Sequence, residues 1–389
     1  MRFSCDSSLL KRSINLLTSI LPGKYTHPAL SGILIKGKKG YLSLSSFNLS
    51  VGLELTISPE QIQGDFQILV PGVVLNKLIS TIIQSQSTNS FIEFEIDKNN
   101  NKLLVSNASG TVAISLLDPE DFPLMPQNNN QEEYIEIDLI SLQNGIFRIT
   151  GFTGDASKFV LGGINFKSNN HELCLTATNG HTVGMAYIPI ENNIQMSKTL
   201  SKDFLDFFNK FLRIFEIQDL TLPIYFDDGQ VFFNLDLPTF KARISGRLIE
   251  GVYPDITKII PANFEYTIRL VKQELLNVLN IVECVSTDVG KLIDADVIQI
   301  SITKQECCIT YFPIPEREVK QVIPLEYSNV ENFVFGINKK YLLAQIKSIP
   351  NSLYIELQFN TSTTPILIRG TEEPIKEMGI IMPISPRTN

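Results

Sequence analysis

Apolar residues along this chain alternate over short stretches and then switch to helical spacing, and they do so three times. In MRFSCDSSLLKRSINLL, Phe3 and Cys5 alternate with polar neighbours before Leu10, Ile14, Leu17 and Leu21 take over. In EYIEIDLISLQNGIFRI, Ile135 and Ile137 give way to Leu139, Leu142, Ile146 and Ile149. In EYTIRLVKQELLNVLNIV, Tyr266 and Ile268 give way to Leu275, Leu279 and Val282. Alternation places side chains on opposite faces of a strand, whereas a period near 3.6 gathers them on one face of a helix. Each segment therefore predicts a strand running directly into an amphipathic helix, with Asp6, Asp138 and Val271 at equivalent points.

A second helix recurs within each unit. It reads PGVVLNKLISTII from Pro71, SKDFLDFFNKFLRIF from Ser201 and NKKYLLAQIKSI from Asn338. Pro71 suits a first helical position, and Ser201 and Asn338 suit N-caps. The middle copy carries the stripe Phe204, Phe208, Phe211 and Phe215. Hairpin-like segments flank these helices, punctuated by the turn tetrads GKKG, KSNN, KNNN and DDGQ. The first two units end alike, at Phe122-Pro123 and Tyr253-Pro254, and the polar run QNNNQ at 127–131 separates them. The reading is an α+β chain of three repeated domains, 1–127, 128–256 and 257–389. Each has two helices on an antiparallel sheet and a size suited to one hydrophobic core.

Composition narrows the function. The 389 residues are 43% hydrophobic and 19% charged, as in soluble globular proteins of several domains. The cysteines, Cys5, Cys174, Cys284, Cys307 and Cys308, are odd in number and form no C-x-x-C pair. That argues against a disulfide framework or zinc ribbon and for a reducing compartment. With no signal-like amino terminus and no long apolar run, a cytoplasmic protein with no membrane partner is expected. His27 precedes Pro28, His171 lies in a turn and His181 follows Asn179-Gly180; all three read as structural. Asp227-Asp228 and Glu372-Glu373 read as solvated turn acids. No nucleotide loop, zinc helix or nucleophile elbow occurs, so no catalytic residue, metal or cofactor is expected, and a hydrolase or transferase is disfavoured.

Charge is distributed unevenly. The formal net charge is −8. The predicted helical windows hold eleven basic residues (Lys11, Arg12, Lys77, Arg148, Lys202, Lys210, Arg213, Lys272, Lys339, Lys340 and Lys347) against six acids, a net of +5 that leaves −13 for the rest. Such a chain can present one surface to a polyanion and repel it elsewhere, although helix faces are also common places for solvated Lys and Arg.

Several stretches, taken in order, carry a family resemblance. They are HPALSGILIK at 27–36, VSNASGTVAISLLDPEDFP at 105–123, KFVLGGINF at 158–166, LTATNGHTVGMAYIPI at 175–190, KARISGRLIEGVYPDITKIIP at 241–261 and IIMPI at 380–384. Over its whole length the chain resembles the bacterial DNA polymerase III β subunit family, the replicative sliding clamps. The resemblance implies a ring of two chains joined head to tail, helices lining the hole and sheets forming the rim. Helices packed side by side at about 10 Å each would leave a bore on the order of 28 Å. It implies a protein with no catalysis of its own that encircles duplex DNA without sequence specificity and tethers the replicative polymerase. The alternative is a clamp-like interaction scaffold that binds partner peptides without encircling DNA.

The resemblance also implies site residues. A peptide pocket is expected from Leu161, Thr178, Gly180, His181, Thr182, Val183, Pro254, Lys258, Ile259, Ile380, Met382, Pro383 and Ile384. Its expected partners are short linear motifs of the replicative polymerase alpha subunit, the clamp-loader delta subunit, other polymerases and repair proteins. Lys24, Lys158 and Lys202 match or adjoin basic positions that the family uses on DNA, and the helix charge adds Arg148, Lys210 and Arg213. Val112 and Ile114 are expected at the joint of the homodimer, opposite Cys284 and Val285 of the second copy. The chain departs from the family at Asn179, where Asp is usual, at Thr182, where Arg is frequent, and at Asp155, where a neutral residue is common. Five residues follow Ile384, a longer tail than the commonest ending.

Overall fold

A computed structural model describes the chain except for residues 85–90, 108–109, 131, 228, 287–295, 315–316, 350–351, 373–377 and 385–389. The α-helices among the described residues are α1 (Ser7–Thr18), α2 (Gly72–Gln84), α3 (Leu139–Ile149), α4 (Lys202–Phe215), α5 (Lys272–Ser286) and α6 (Lys339–Ser348). Asp6, Asp138 and Val271 each end a strand and directly precede α1, α3 and α5. The Asp6 carboxylate accepts the Leu9 N–H at 2.8 Å, and the Asn338 side chain accepts the Lys340 and Tyr341 N–H groups. Both supply acceptors that the first helical turn otherwise lacks. Ser201 directly precedes α4.

Pro71 departs from expectation. It closes the strand Phe66–Pro71, paired with Gly32, and α2 starts one residue later at Gly72. A Cβ on Gly72 would lie 2.5 Å from Leu21 Cδ1, so the chain turns into the helix where it needs the closest approach.

The chain forms two compact units, Met1–Ile140 with Asp203–Leu248, and Ser141–Lys202 with Ile249–Asn389. In the first, Arg2–Asp6 lies between Gln61–Gln63 and Phe91–Asp97, and the sheet continues through Lys102–Asn107 to Gly110–Ser115. A second antiparallel sheet runs Tyr134–Asp138, Thr221–Asp227, Gln230–Asp236, Phe240–Ile249, Val51–Ile57, Tyr41–Phe47, Gly32–Lys38 and Phe66–Pro71. The register Lys241↔Thr56 thus joins strands from either side of the polar run at 127–131. Glu54 and Arg243 form an ion pair across that join.

The apolar stripes fall where the periodicity puts them except at Leu21, which lies past the end of α1 and is half-buried. Leu10, Ile14 and Leu17 of α1 and Phe204, Phe208 and Phe211 of α4 are buried. Phe204 and Phe208 set their edges against the Phe233 ring, an arrangement that the aromatic quadrupole favours. Phe215, the last of its stripe, is only half-buried and carries the Arg12 guanidinium over its face at 5.7 Å.

In the second unit one antiparallel sheet runs Met196–Ser201, Gly163–Asn169, Glu172–Thr178, Thr182–Pro189, Met378–Ile381, Ile366–Gly370, Tyr354–Phe359 and Tyr266–Val271. A further sheet runs Arg317–Pro324, Glu306–Ile314, Val297–Thr303 and Asn332–Asn338. Leu275, Leu279 and Val282 of α5 and Leu342 and Ile346 of α6 fill the core between them. Cys307 is buried and Cys308 half-buried, as adjacent strand positions require. On one sheet face, buried Glu356 accepts paired hydrogen bonds from Arg269 and Arg369.

The two described acids read as solvated both accept hydrogen bonds, Glu372 while exposed as expected and Asp227 while half-buried. Asp227 accepts the Asn129 and Asn130 N–H groups at 2.7 and 3.1 Å and so holds these two residues of the polar run. Glu372 accepts from the Ser352 and Thr371 hydroxyls, which hold its carboxyl below the usual carboxylate range. Their neighbours Asp228 and Glu373 lie outside the described residues.

Candidate functional site

Of the expected pocket residues, His181, Thr182, Val183, Ile380 and Met382 are brought together in the second unit because two distant strands pair. Thr182–Pro189 lies against Met378–Ile381 with Val183 opposite Ile380 and Thr182 opposite Ile381. The pairing continues where the Met382 N–H donates to the His181 carbonyl at 2.9 Å. Ile384 then exchanges hydrogen bonds with Gly336 in the strand Asn332–Asn338.

The turn before the first of these strands is fixed by its own side chains. The Asn179 carboxamide oxygen accepts the His181 and Thr182 N–H groups, both at 2.9 Å. An aspartate would accept the same pair, so Asn179 preserves the turn while removing a charge. The Thr178 hydroxyl donates to the Thr182 carbonyl at 2.6 Å and accepts the Gly180 N–H. Gly180 has φ +90, a conformation that suits glycine.

Strand alternation then sorts the residues. Val183, Met185 and Ile380 form a buried cluster with Ile256, and Cys174, Tyr187, Tyr253 and Ile260 pack against it. Burial pushes the Tyr187 and Tyr253 phenols above their usual range, so both stay neutral. Thr182 points to the other face, 1% exposed, opposite the core residue Ile381. It therefore does not line the surface, contrary to expectation: its position in the pleat puts it inside. Thr178 is likewise buried, acting through its turn contacts. Val183 and Ile380 are floor rather than wall.

The accessible part consists of Ile259, Met382 and Ile384, at 45%, 37% and 38% exposure, with exposed His181 and Pro254 and half-buried Pro383. The His181 ring stacks on Tyr341 at 6.0 Å, which joins the turn to the first turn of α6. Lys258 is exposed and 3.5 Å from Asp255, whose carboxylate caps the short helix Ile256–Ile259. Leu161 is half-buried in the segment Ala156–Gly162, where its carbonyl accepts the Gly154 N–H. This surface offers aliphatic contacts and an adaptable methionine to an apolar side chain, with few charges to desolvate.

The expected DNA residues come from several elements of both units. Lys24 is exposed in the loop after α1, and Arg213 is exposed in the last turn of α4. Lys202 and Lys210 are half-buried on α4. Arg148 is half-buried at the end of α3, beside a cavity of about 20 Å³ lined also by Phe152, Gly184, Gln345 and Gly379. The Lys158 side chain lies outside the described residues. One helix cation is not available to a polyanion at all: Lys339 is 4% exposed, with Glu283 3.2 Å away. Sequence counting missed this because it sees helix positions but not which of them face the core.

For the expected joint, Gly110–Ser115 is the outermost strand of its sheet. Val112 is exposed, whereas Ile114 is buried. Cys284 is exposed on α5, and Val285 packs partly against the core.

Comparison with known proteins gives one answer along the chain. Residues 1–126 match the family model of the DNA polymerase III beta subunit N-terminal domain, and 257–385 that of its C-terminal domain. The beta sliding clamp of Synechococcus elongatus is 23% identical over 400 aligned residues, covering 100% of both chains. That of Staphylococcus epidermidis is 24% identical over 96% of both. Among solved structures, the DNA polymerase III beta subunit of Thermotoga maritima superposes with a TM-score of 0.87 at 20% identity, covering 99% of this chain and 100% of its own. The sliding clamp of Bacillus subtilis gives 0.88 at 19%, with both chains fully covered. The Pseudomonas aeruginosa clamp, solved bound to griselimycin, gives 0.87 at 19%, with 99% and 100% covered. With both terminal domain models matched and relatives aligned end to end, the chain belongs to the DNA polymerase III beta subunit family, the bacterial sliding clamps.

Proposed function

We propose that this chain is a non-enzymatic sliding clamp of the cytoplasm. Two copies join head to tail, encircle duplex DNA without reading its sequence and tether the replicative polymerase. The observation that carries this reading is family membership at both ends of the chain, with relatives covered over their full length. Three clamp domains, 1–127, 128–256 and 257–389, supply the ring. The outermost strand Gly110–Ser115 of one copy meets the α5 region of the other, and pairing there covers an otherwise open edge.

Lys24, Lys158, Lys202, Lys210 and Arg213 attract phosphates from inside the ring, with Arg148 contributing at the end of α3. A sliding ring needs attraction without many tight phosphate contacts, since each one adds a salt-dependent hold. The surface around Ile259, Met382 and Ile384 receives short apolar motifs of the polymerase alpha subunit, the clamp-loader delta subunit and repair proteins. With Thr182 turned inward, that surface selects by apolar fit more than by charge.

The test is topological. Protein loaded on nicked circular DNA should stay through gel filtration and be lost when the circle is cut once. Equal retention on circular and linear DNA would sink the encircling mechanism and favour a peptide-binding scaffold.

A further inference from the structure

Lys339 is the first residue of α6, yet its side chain is only 4% exposed. Its ammonium lies 3.2 Å from Glu283 of α5 and 3.9 Å from Asp296, and it sits over the Tyr311 ring at 5.1 Å. Its backbone N–H donates to the Asp296 carbonyl at 2.8 Å. Asp296 also holds Lys340, at 2.7 Å. One buried cation thus gathers α5, α6 and the strand Glu306–Ile314 around a single point.

Only the ammonium is buried, since Glu283 is half exposed, and the cost of desolvating it offsets the attraction, so the contact is a poor source of net stability. It does fix geometry, since the charges reach one another in few arrangements. What it fixes here is the carboxyl end of α5. Glu283 immediately precedes Cys284 and Val285, and the Arg317 guanidinium donates to the Val285 carbonyl at 3.2 Å. Arg317 begins the outermost strand of its sheet, so the helix end and the open strand are tied together. Around them lie Ile281, 42% exposed, and Val322, 49% exposed.

We propose that Lys339 is a positioning residue for the joint between two copies: it sets the end of α5 so that Ile281, Cys284 and the strand beginning at Arg317 meet the partner in one register. This rests on the head-to-tail dimer proposed above. The measurement is the dimer dissociation constant by sedimentation velocity, beside the thermal melt of the same samples. Lys339→Met keeps the length and loses the charge, and should weaken the dimer at least tenfold. Glu283→Gln, whose side chain is half exposed, tests the same contact should the first variant fold poorly, and should weaken it about threefold. The two together should be no worse than Lys339→Met alone, and Lys347→Ala, on the exposed face of α6, should change nothing. A lowered melting point with unchanged dissociation constants for both variants overturns the proposal and leaves Lys339 a packing residue. A wild-type chain that sediments as a monomer refutes the dimer itself, a different and recognisable result.

Discussion

Val183 and Ile380 face each other across two paired strands and are 3% and 1% exposed, so residues from distant parts of the chain make one floor. Above that floor the exposed contact is Met382, whose backbone is held by His181. Met382→Ala should weaken binding of a labelled apolar motif peptide about tenfold, roughly 1.4 kcal/mol, with the melting temperature unchanged. Ile380→Ala should instead cost about 2–5 kcal/mol of folding stability. Fluorescence anisotropy beside urea unfolding separates the two.

Beneath the same strands, Gly184 pairs with Gly379. A Cβ at Gly184 would lie 2.2 Å from the Phe152 ring, and one at Gly379 1.6 Å from the Gln345 carboxamide. Gly184→Ala should lose about 1–3 kcal/mol in urea unfolding, since the ring must move within a close-packed interior. Gly23→Ala, with nothing within 4 Å, is the neutral control.

Acid should attack the triad on Glu356. Burial pushes that carboxyl up, but hydrogen bonds from Arg269 and Arg369 outweigh it and hold it below its ordinary value of 4.5. A depressed native value means that the stabilisation is complete above the unfolded value and lost as pH falls through the native one. Unfolding free energy should therefore decline below about pH 4.5. Glu356→Gln should lose about 1.5–3 kcal/mol at neutral pH and flatten that decline.

The thiols should separate by environment. Burial pushes Cys5 and Cys307 up to about 12, whereas Cys284 is exposed. A thiol reagent at pH 8 should modify Cys284 first and leave Cys5 and Cys307 intact until denaturant is added. If Cys284 lies at the joint, its modification should slow as protein concentration rises. Mass spectrometry of timed samples reads both effects.

Local order was legible in the sequence wherever it depends on neighbours. The strand-to-helix switches at Asp6, Asp138 and Val271 follow from period alone, as do the buried stripes of α1, α3 and α5. Thr182 and Lys339 were not legible, because each depends on which face of an element meets the core, a fact set by partners far along the chain. Family likeness did not separate the buried Val183 and Ile380 from the exposed Ile259 and Met382, because exposure depends on which face of each strand meets the core. The polar run at 127–131 reads as a joint; Asn129 and Asn130 within it donate to Asp227, and one sheet pairs strands from either side of it.

That continuous sheet also sets a schedule for synthesis. Val51–Ile57 leaves the ribosome well before Phe240–Ile249, the strand that will cover its edge. At about 5–20 residues per second the interval is on the order of ten to forty seconds. Through that time a nascent chain carries an unpartnered edge with Val51, Leu53 and Leu55 on one face. Glu54, hydrogen-bonded by Ser43 but without a cation until Arg243 emerges, puts an uncompensated charge on that strand and discourages a neighbouring nascent copy from pairing there first.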